Sequence, residues 1–390
     1  MNVKPRVALL IETSRGYGRG LLKGIVRYAR LHGPWSFYIS PGDFEQALPK
    51  MAHWGGTGII ARVETPQVAE AIRRTRLPVI ALDLSEALLR PRSRWRNAPE
   101  ISPDPAAAAR MAADHLRARG FRRFAFCGIP HRIWSERRGE AFSGYLAAEG
   151  HPCQVYQPPR RPRDRDWGRE QALLAQWLRE LPKPVGLMAC NDDRGRQVLE
   201  ACQAAGIEVP EEVAVVGMDN DELLCELANP PLSSVALNTE RGGYEAAALL
   251  DAMMRGRRKG PERILVEPLH VVVRQSSDVV ALDDRHVAAA LTFIRENAAY
   301  PIQVADVVRH AGLSRRALEV RFRREVKRSV HEEIQRVRLE RAERLLVETD
   351  LAMGAVATAA GFGSASYLGL VFRGTKGITP ARYRTRARAR

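Results

Sequence analysis

Three carboxylates stand shortly after apolar runs of strand length: Asp83 after Val79–Leu82, Asp192 after Val185–Ala189, and Asp219 after Val213–Val216. At the carboxyl end of a parallel strand, a carboxylate can accept from two adjacent ligand hydroxyls, or it can cap the helix that follows. Tyr17 lies in the turn Gly16-Tyr-Gly-Arg-Gly20, which follows another such run, Val7–Ile11. This is hydrogen-bonding chemistry suited to holding a small molecule. It lacks a nucleophile with a neighbouring base.

Motifs for other chemistries are missing. The Gly16 turn fails the dinucleotide spacing, because Leu21 stands where the third glycine belongs. No Gly-x-x-x-x-Gly-Lys-Ser/Thr, Gly-x-Ser-x-Gly or His-Glu-x-x-His occurs, and the nine histidines are scattered. Cys127, Cys153, Cys190, Cys202 and Cys225 are odd in number and form no Cys-x-x-Cys pair. Neither a disulfide framework nor a zinc site follows, and a reducing compartment does. The apolar stretch after Lys4 and Arg6 ends at Glu12 without a cleavage pattern, and no apolar run approaches a membrane span. The expectation is a cytoplasmic protein with no catalytic residue, metal, cofactor or membrane partner.

A second set of residues is basic. The 390-residue chain carries a net charge of +16. Residues 281–390 hold 21 Lys and Arg against 12 Asp and Glu, a net +9, whereas the preceding 280 residues hold only +7. The excess at one end suggests a polyanionic partner there. Arginine makes up 54 of the 61 basic residues, a skew that genomic base composition alone can produce.

The basic end contains a repeat. Ala311-Gly-Leu-Ser314 is echoed fifty residues on by Ala360-Gly-Phe-Gly-Ser364, and Leu318, Phe322 and Arg323 match Leu368, Phe372 and Arg373. Each copy reads as a helix, a glycine turn, and a Ser-capped second helix. Leu and Phe bury one face, and the other offers Arg316, Glu319, Val320 and Arg323, then Ser366, Gly369, Leu370 and Arg373. Such a helix fits the major groove of double-stranded DNA. Arg315 and Arg316 suit guanine edges, with Glu319 and Ser366 beside them on the groove-facing sides. Arg323, Arg373 and Lys376 suit phosphates.

The elements that must position these residues follow from periodicity. Strands at Val7–Ile11, Gly58–Arg62, Val79–Leu82, Phe124–Cys127, Val185–Ala189 and Val213–Val216 alternate with amphipathic helices. The fold class is α/β, doubly wound parallel sheets, followed by an all-α domain. About 275 residues exceed one such sheet, so residues 1–275 are read as two lobes. Segments 90–105 and 157–168 are read as loops, 276–285 as a linker, and 286–390 as a tandem helix-turn-helix domain.

Two family resemblances sharpen this. Ala311-Gly-Leu-Ser, Phe322-Arg-Arg, Arg338-Leu-Glu-Arg-Ala-Glu-Arg-Leu-Leu346, Ala360-Gly-Phe-Gly-Ser and Gly377-Ile-Thr-Pro380 resemble the AraC/XylS regulators over about 100 residues. That resemblance implies two recognition helices in successive major-groove segments. The family usually has Gly where Lys327 closes the first recognition helix, and in the left-handed conformation Lys would cost about 1 kcal/mol.

The segment Asn191–Asn220, with Pro230–Ala236 and Gly242–Ala247, resembles the effector domain of LacI/GalR repressors, related to periplasmic sugar-binding proteins. It implies periplasmic-binding-like lobes, hinged by crossovers, closing on a sugar. The whole arrangement is similar to regulators of bacterial xylose operons. That likeness implies D-xylose as first ligand, with Arg138 donating to sugar oxygens and Trp167 stacking on the ring; the alternatives are another pentose or hexose, or an α/β enzyme with a helical appendage. It also implies a homodimer, activation of sugar catabolism, and RNA polymerase as a partner.

Overall fold

The apolar runs Gly58–Arg62, Val79–Leu82, Phe124–Cys127 and Val185–Ala189 are strands over those same residues, nearly all buried. The computed structural model describes residues 4–39, 54–63, 65–82, 84, 88–89, 93–157, 167–257, 262–279 and 284–388. The chain forms two units, Met1–Asp278 and Val279–Arg390.

In the first unit the strands are β1 (Arg6–Leu10), β2 (Ser36–Ile39), β3 (Gly58–Arg62), β4 (Val79–Leu82), β5 (Glu100–Pro103), β6 (Phe124–Cys127), β7 (Cys153–Val155), β8 (Val185–Ala189), β9 (Val213–Asp219), β10 (Ser233–Leu237), β11 (Arg263–Val266) and β12 (Pro268–Val272). The helices are α1 (Gly16–His32), α2 (Pro66–Thr75), α3 (Pro105–Ala118), α4 (Ile133–Ala148), α5 (Trp167–Glu180), α6 (Asp192–Ala205), α7 (Glu222–Leu227) and α8 (Thr239–Met254).

Two six-stranded sheets result, in the orders β11-β5-β4-β3-β1-β2 and β12-β10-β9-β8-β6-β7. All pairings are parallel except β10 with β12. Each sheet is the centre of one lobe, and parallel strands need helices on both faces. The first core includes Leu10, Ile59, Ala61 and Ile72, and the second includes Leu174, Leu178, Leu187, Val198 and Val215. The chain changes lobe three times, after β5, after β10 and between β11 and β12. After the second change α8 packs on α1 in the first lobe. That approach needs glycine: a Cβ on Gly24 would overlap the Glu240 carbonyl, and one on Gly243 the Leu21 carbonyl.

Two expectations change. The segment 90–105, read as a loop, contains a 3₁₀ turn at Arg94–Asn97 and the edge-proximal strand β5. Glu100 and Pro103 had disguised that strand by breaking its apolar run. The linker read from 276 begins later, since Ser276 and Ser277 are fully buried. Ser276 Oγ donates to the Val215 carbonyl at 2.7 Å, and His115 Nε2 meets Ser277 Oγ at 2.8 Å. Hydrogen bonding lets polar serines enter a core that composition assigns to solvent. Residues 158–166 and 280–283 lie outside the described set.

The second unit is helical: α9 (Arg285–Asn297), α10 (Val304–Ala311), α11 (Arg315–Val326), α12 (Val330–Glu348), α13 (Met353–Ala359), α14 (Ala365–Lys376) and α15 (Pro380–Arg388). Pairs α10–α11 and α13–α14 are the two repeat copies. Ser314 Oγ accepts from Ala317 N at 3.3 Å and Ser364 Oγ from Tyr367 N at 3.1 Å, so both are the expected caps. The long helix α12 serves both cores, with Val330 and Ile334 in one and Leu339, Ala342 and Leu346 in the other. Arg338 donates to the carbonyls of Ala298 at 3.0 Å and Tyr300 at 2.9 Å, fastening the segment between α9 and α10 to that helix.

Candidate functional site

The carboxyl ends of β1, β3 and β4 face those of β6, β8 and β9 across a cavity of about 410 Å³. Ligand pockets commonly span about 300–1,000 Å³. Tyr17, Arg138, Asp192 and Asp219 all line this cavity, so four of the six expected residues come together. Asp83 lies outside the described residues. Trp167 opens α5, but its side chain is likewise outside them.

A buried guanidinium anchors one wall: Arg138 on α4 is 4% exposed. It donates to the Cys190 carbonyl at 2.5 Å and to Asp219 Oδ1 at 3.0 Å. Its guanidinium also lies 5.2 Å from the ring centre of Trp134, a cation–π distance. On the opposite wall Arg62 Nη1 pairs with Glu12 Oε2 at 2.9 Å. Each wall of the cavity therefore presents a guanidinium–carboxylate pair, and Arg15 with Asp193 adds a further pair to the lining. Such paired walls are close to neutral and offer both donors and acceptors, which suits a polyhydroxylated, uncharged ligand better than an anion.

Asp192 has another task. Asn191 is the cap of α6, accepting from Arg194 N at 2.9 Å, and Asp192 is the first helical residue. Its Oδ1 accepts from Ser234 Oγ at 2.5 Å and its Oδ2 from Asp221 N at 2.7 Å. Burial, and then the neighbouring Asp219 charge, push its carboxyl well above the usual range. With both oxygens occupied, Asp192 braces the turn at 219–221 rather than presenting an open acceptor pair. That turn needs bracing, because Asp219 (φ 98°) and Asn220 (φ 48°) occupy the left-handed side of φ space.

Sequence reading missed Glu12, Arg15, Arg62, Trp134, Asp193 and Asp221 in the cavity wall. Trp134 had a usable signal, since it stands four residues before Arg138 on one helix face. The others depend on which lobes face each other, and spacing carries no trace of that.

Three family models match. Residues 6–89 match the XylR N-terminal domain, 113–277 a periplasmic binding protein-like domain, and 307–386 a helix-turn-helix domain. The xylose operon regulatory protein of Escherichia coli K12 is 33% identical over 97% of this chain and 96% of its own length. This chain belongs to the xylose operon regulatory protein family. The Haemophilus influenzae protein of that name is 32% identical over 97% of this chain and 98% of its own length. A solved structure described as the xylose-binding transcription activator xylR aligns with a TM-score of 0.72 at 32% identity, covering 99% of both chains. A CelR–cellobiose complex, at 21% identity and a TM-score of 0.54, shares the fold of the first unit. Members of the xylose operon regulatory family are transcription regulators, and this chain is a DNA-binding, sugar-responsive regulator with the two-lobed and helix-turn-helix units that role requires.

The side chains expected to read DNA fall into two groups. Arg315, Arg316, Arg323, Ser366 and Arg373 are exposed, as a groove-facing surface requires. Two expected residues are less open, one through a partner and one through burial. Lys376 Nζ pairs with Glu343 Oε1 at 2.8 Å, a hydrogen bond that raises the lysine pKa and offsets the charge it could offer phosphate. Glu319 is half-buried, with Oε2 enclosed and without a hydrogen-bond partner, so it presents little to a base. Lys327 closes α11 at φ 63°, the left-handed conformation that Gly377 adopts at the end of α14.

Proposed function

We propose that the chain is a D-xylose-responsive, cytoplasmic transcription activator that binds operator DNA as a homodimer and acts on RNA polymerase. The observation that carries the sugar assignment is the facing pair of cavity walls, Glu12–Arg62 against Asp219–Arg138. Arg138 and Arg62 donate to hydroxyl oxygens, Asp219 and Glu12 accept from hydroxyls, and Trp134 or Tyr17 covers an apolar ring face. D-xylose in particular is supported by the names of the relatives. The two units correspond to residues 1–278 and 279–390. Sugar binding favours closure of the lobes, and the closed form places the reading units differently on paired half-sites.

The homodimer is supported by two faces of complementary charge. Helix α1 carries Arg27, Arg30 and the 65% exposed Leu31; helix α7 carries Glu222, Leu223 and Leu227, the two leucines 65% and 68% exposed. A two-fold axis can lay each face on the other's counterpart. Among the described residues no helix is long and apolar enough to cross a membrane.

The experiment is calorimetric titration of the purified full chain with D-xylose, L-arabinose, D-ribose and D-glucose, followed by operator-binding assays with and without the tightest sugar. Selective D-xylose binding that alters DNA affinity supports the proposal. Binding of none of the four sugars overturns it.

A further inference from the structure

Two aliphatic side chains in the second unit do nothing for its own fold. Val320 is 63% exposed and Leu370 is 72% exposed. Each is the sixth residue of a twelve-residue recognition helix, counted from the cap at Ser314 or Ser364. Four residues before and three after, on the same face, stand Arg316 and Arg323 around Val320, and Ser366 and Arg373 around Leu370, all exposed. The opposite faces bury Leu318 with Phe322, and Leu368 with Phe372. Tyr367 on the second helix is different, because its hydroxyl accepts from Gln335 Nε2 at 2.8 Å and its ring packs edge-on against Phe362.

One exposed aliphatic residue needs no explanation. The same register filled twice in a tandem repeat, at the centre of the two outward faces, calls for an apolar partner at both places. The surrounding charge selects that partner. Residues 281–390 carry a net +9, with exposed Arg316 and Arg323 beside Val320 and exposed Arg373 beside Leu370, so the surface that docks here is polyanionic. Within the major groove of duplex DNA the apolar group on a base edge is the thymine 5-methyl.

We infer that Val320 and Leu370 are specificity-determining residues, each reading one thymine methyl, while the arginines beside them serve guanine edges and phosphates. The inference rests on the DNA-reading role of α11 and α14. Its consequence is an operator with one essential thymine opposite each recognition helix.

The test starts from the duplex that the full chain enriches from a random-sequence library. Each thymine is replaced in turn by deoxyuridine, which removes only the methyl. Two thymines should be sensitive, each replacement weakening binding by about fourfold, the value of one methyl group withdrawn from water. Val320→Ala should abolish the sensitivity at one thymine and Leu370→Ala at the other. Both side chains are exposed, and unchanged melting temperatures of the variants confirm intact folding. If no thymine is sensitive, or if both sensitivities survive in both variants, the inference is overturned while DNA reading stands. If the wild-type chain enriches no sequence, the DNA-reading assignment falls and this inference falls with it.

Discussion

The carboxylate of Asp221 accepts from the backbone nitrogen of Gly16 at 2.6 Å, although the two residues belong to different lobes. Asp221 thereby caps α1, whose own preceding residue, Arg15, supplies no side-chain cap. Arg19 adds a bond to the second carboxylate oxygen at 2.9 Å, and Arg15 reaches Asp193 at 2.7 Å. Under the closure proposed above, this cap and its charge add to the interactions that hold the lobes together.

On the proposed sugar-induced closure, Asp221→Ala should lower affinity for the proposed sugar by about tenfold, since a lost cap costs roughly 0.5–2 kcal/mol. Isothermal titration calorimetry reads this directly. An unchanged dissociation constant would show that the cap does not stabilise the ligand-bound state.

Asp219→Asn keeps the shape of the side chain and tolerates the same backbone conformation. Arg138 keeps its bond to the Cys190 carbonyl. The unliganded chain should remain folded, while affinity for the proposed sugar falls about tenfold to a hundredfold with the loss of a charged acceptor. Sugar-induced thermal stabilisation is the measurement, and its full retention would remove Asp219 from the contact set.

Lys327→Gly should stabilise the DNA-reading unit by about 0.5–1 kcal/mol. A non-glycine residue at φ 63° carries a steric cost of roughly 1–2 kcal/mol, partly offset by glycine's freedom in the unfolded chain. Urea denaturation of the full chain, followed by the transition of the helical unit, checks the sign. A loss of stability would mean that the lysine side chain contributes more than its backbone costs.

His115 gives the effector unit an acid limit. Burial, and next the charge of Arg119, push its imidazole down to about 3. Arg119 Nη1 can only donate, so Nδ1 of the neutral ring accepts and Nε2–H points to Ser277 Oγ. In the unfolded chain the ring takes a proton near its ordinary pKa of about 6.5. Below that value the unfolded state binds a proton that the folded state refuses, so stability falls with pH between about 6.5 and 3, by at most about 1.4 kcal/mol per unit. His115→Gln retains a donor to Ser277 and should flatten that stretch of the melting temperature–pH curve. An identical slope in the variant would assign the acid sensitivity elsewhere.

Much local structure was legible along the chain. Apolar runs and 3.6-residue patterns marked most of the strands and helices that meet at the cavity, β5 excepted. Ser314 and Ser364 announced their helices, and a lysine in place of glycine announced the strained close of α11. These properties depend on neighbours a few residues away, so sequence order contains them.

What only the tertiary structure decided is which distant groups answer one another. Asp192 and Asp219 look alike as residues after strands, yet one is sealed by Ser234 and the Asp221 amide while the other faces Arg138 and the cavity. Glu12 meets Arg62 because β1 and β3 are neighbours in one sheet, and Asp221 meets Gly16 because the crossovers bring two lobes together. Lys376 reads as a phosphate contact until the fold brings Glu343 to it. Hydrogen bonds and charges act over a few ångströms of space, and folding, not chain order, determines which residues share that space.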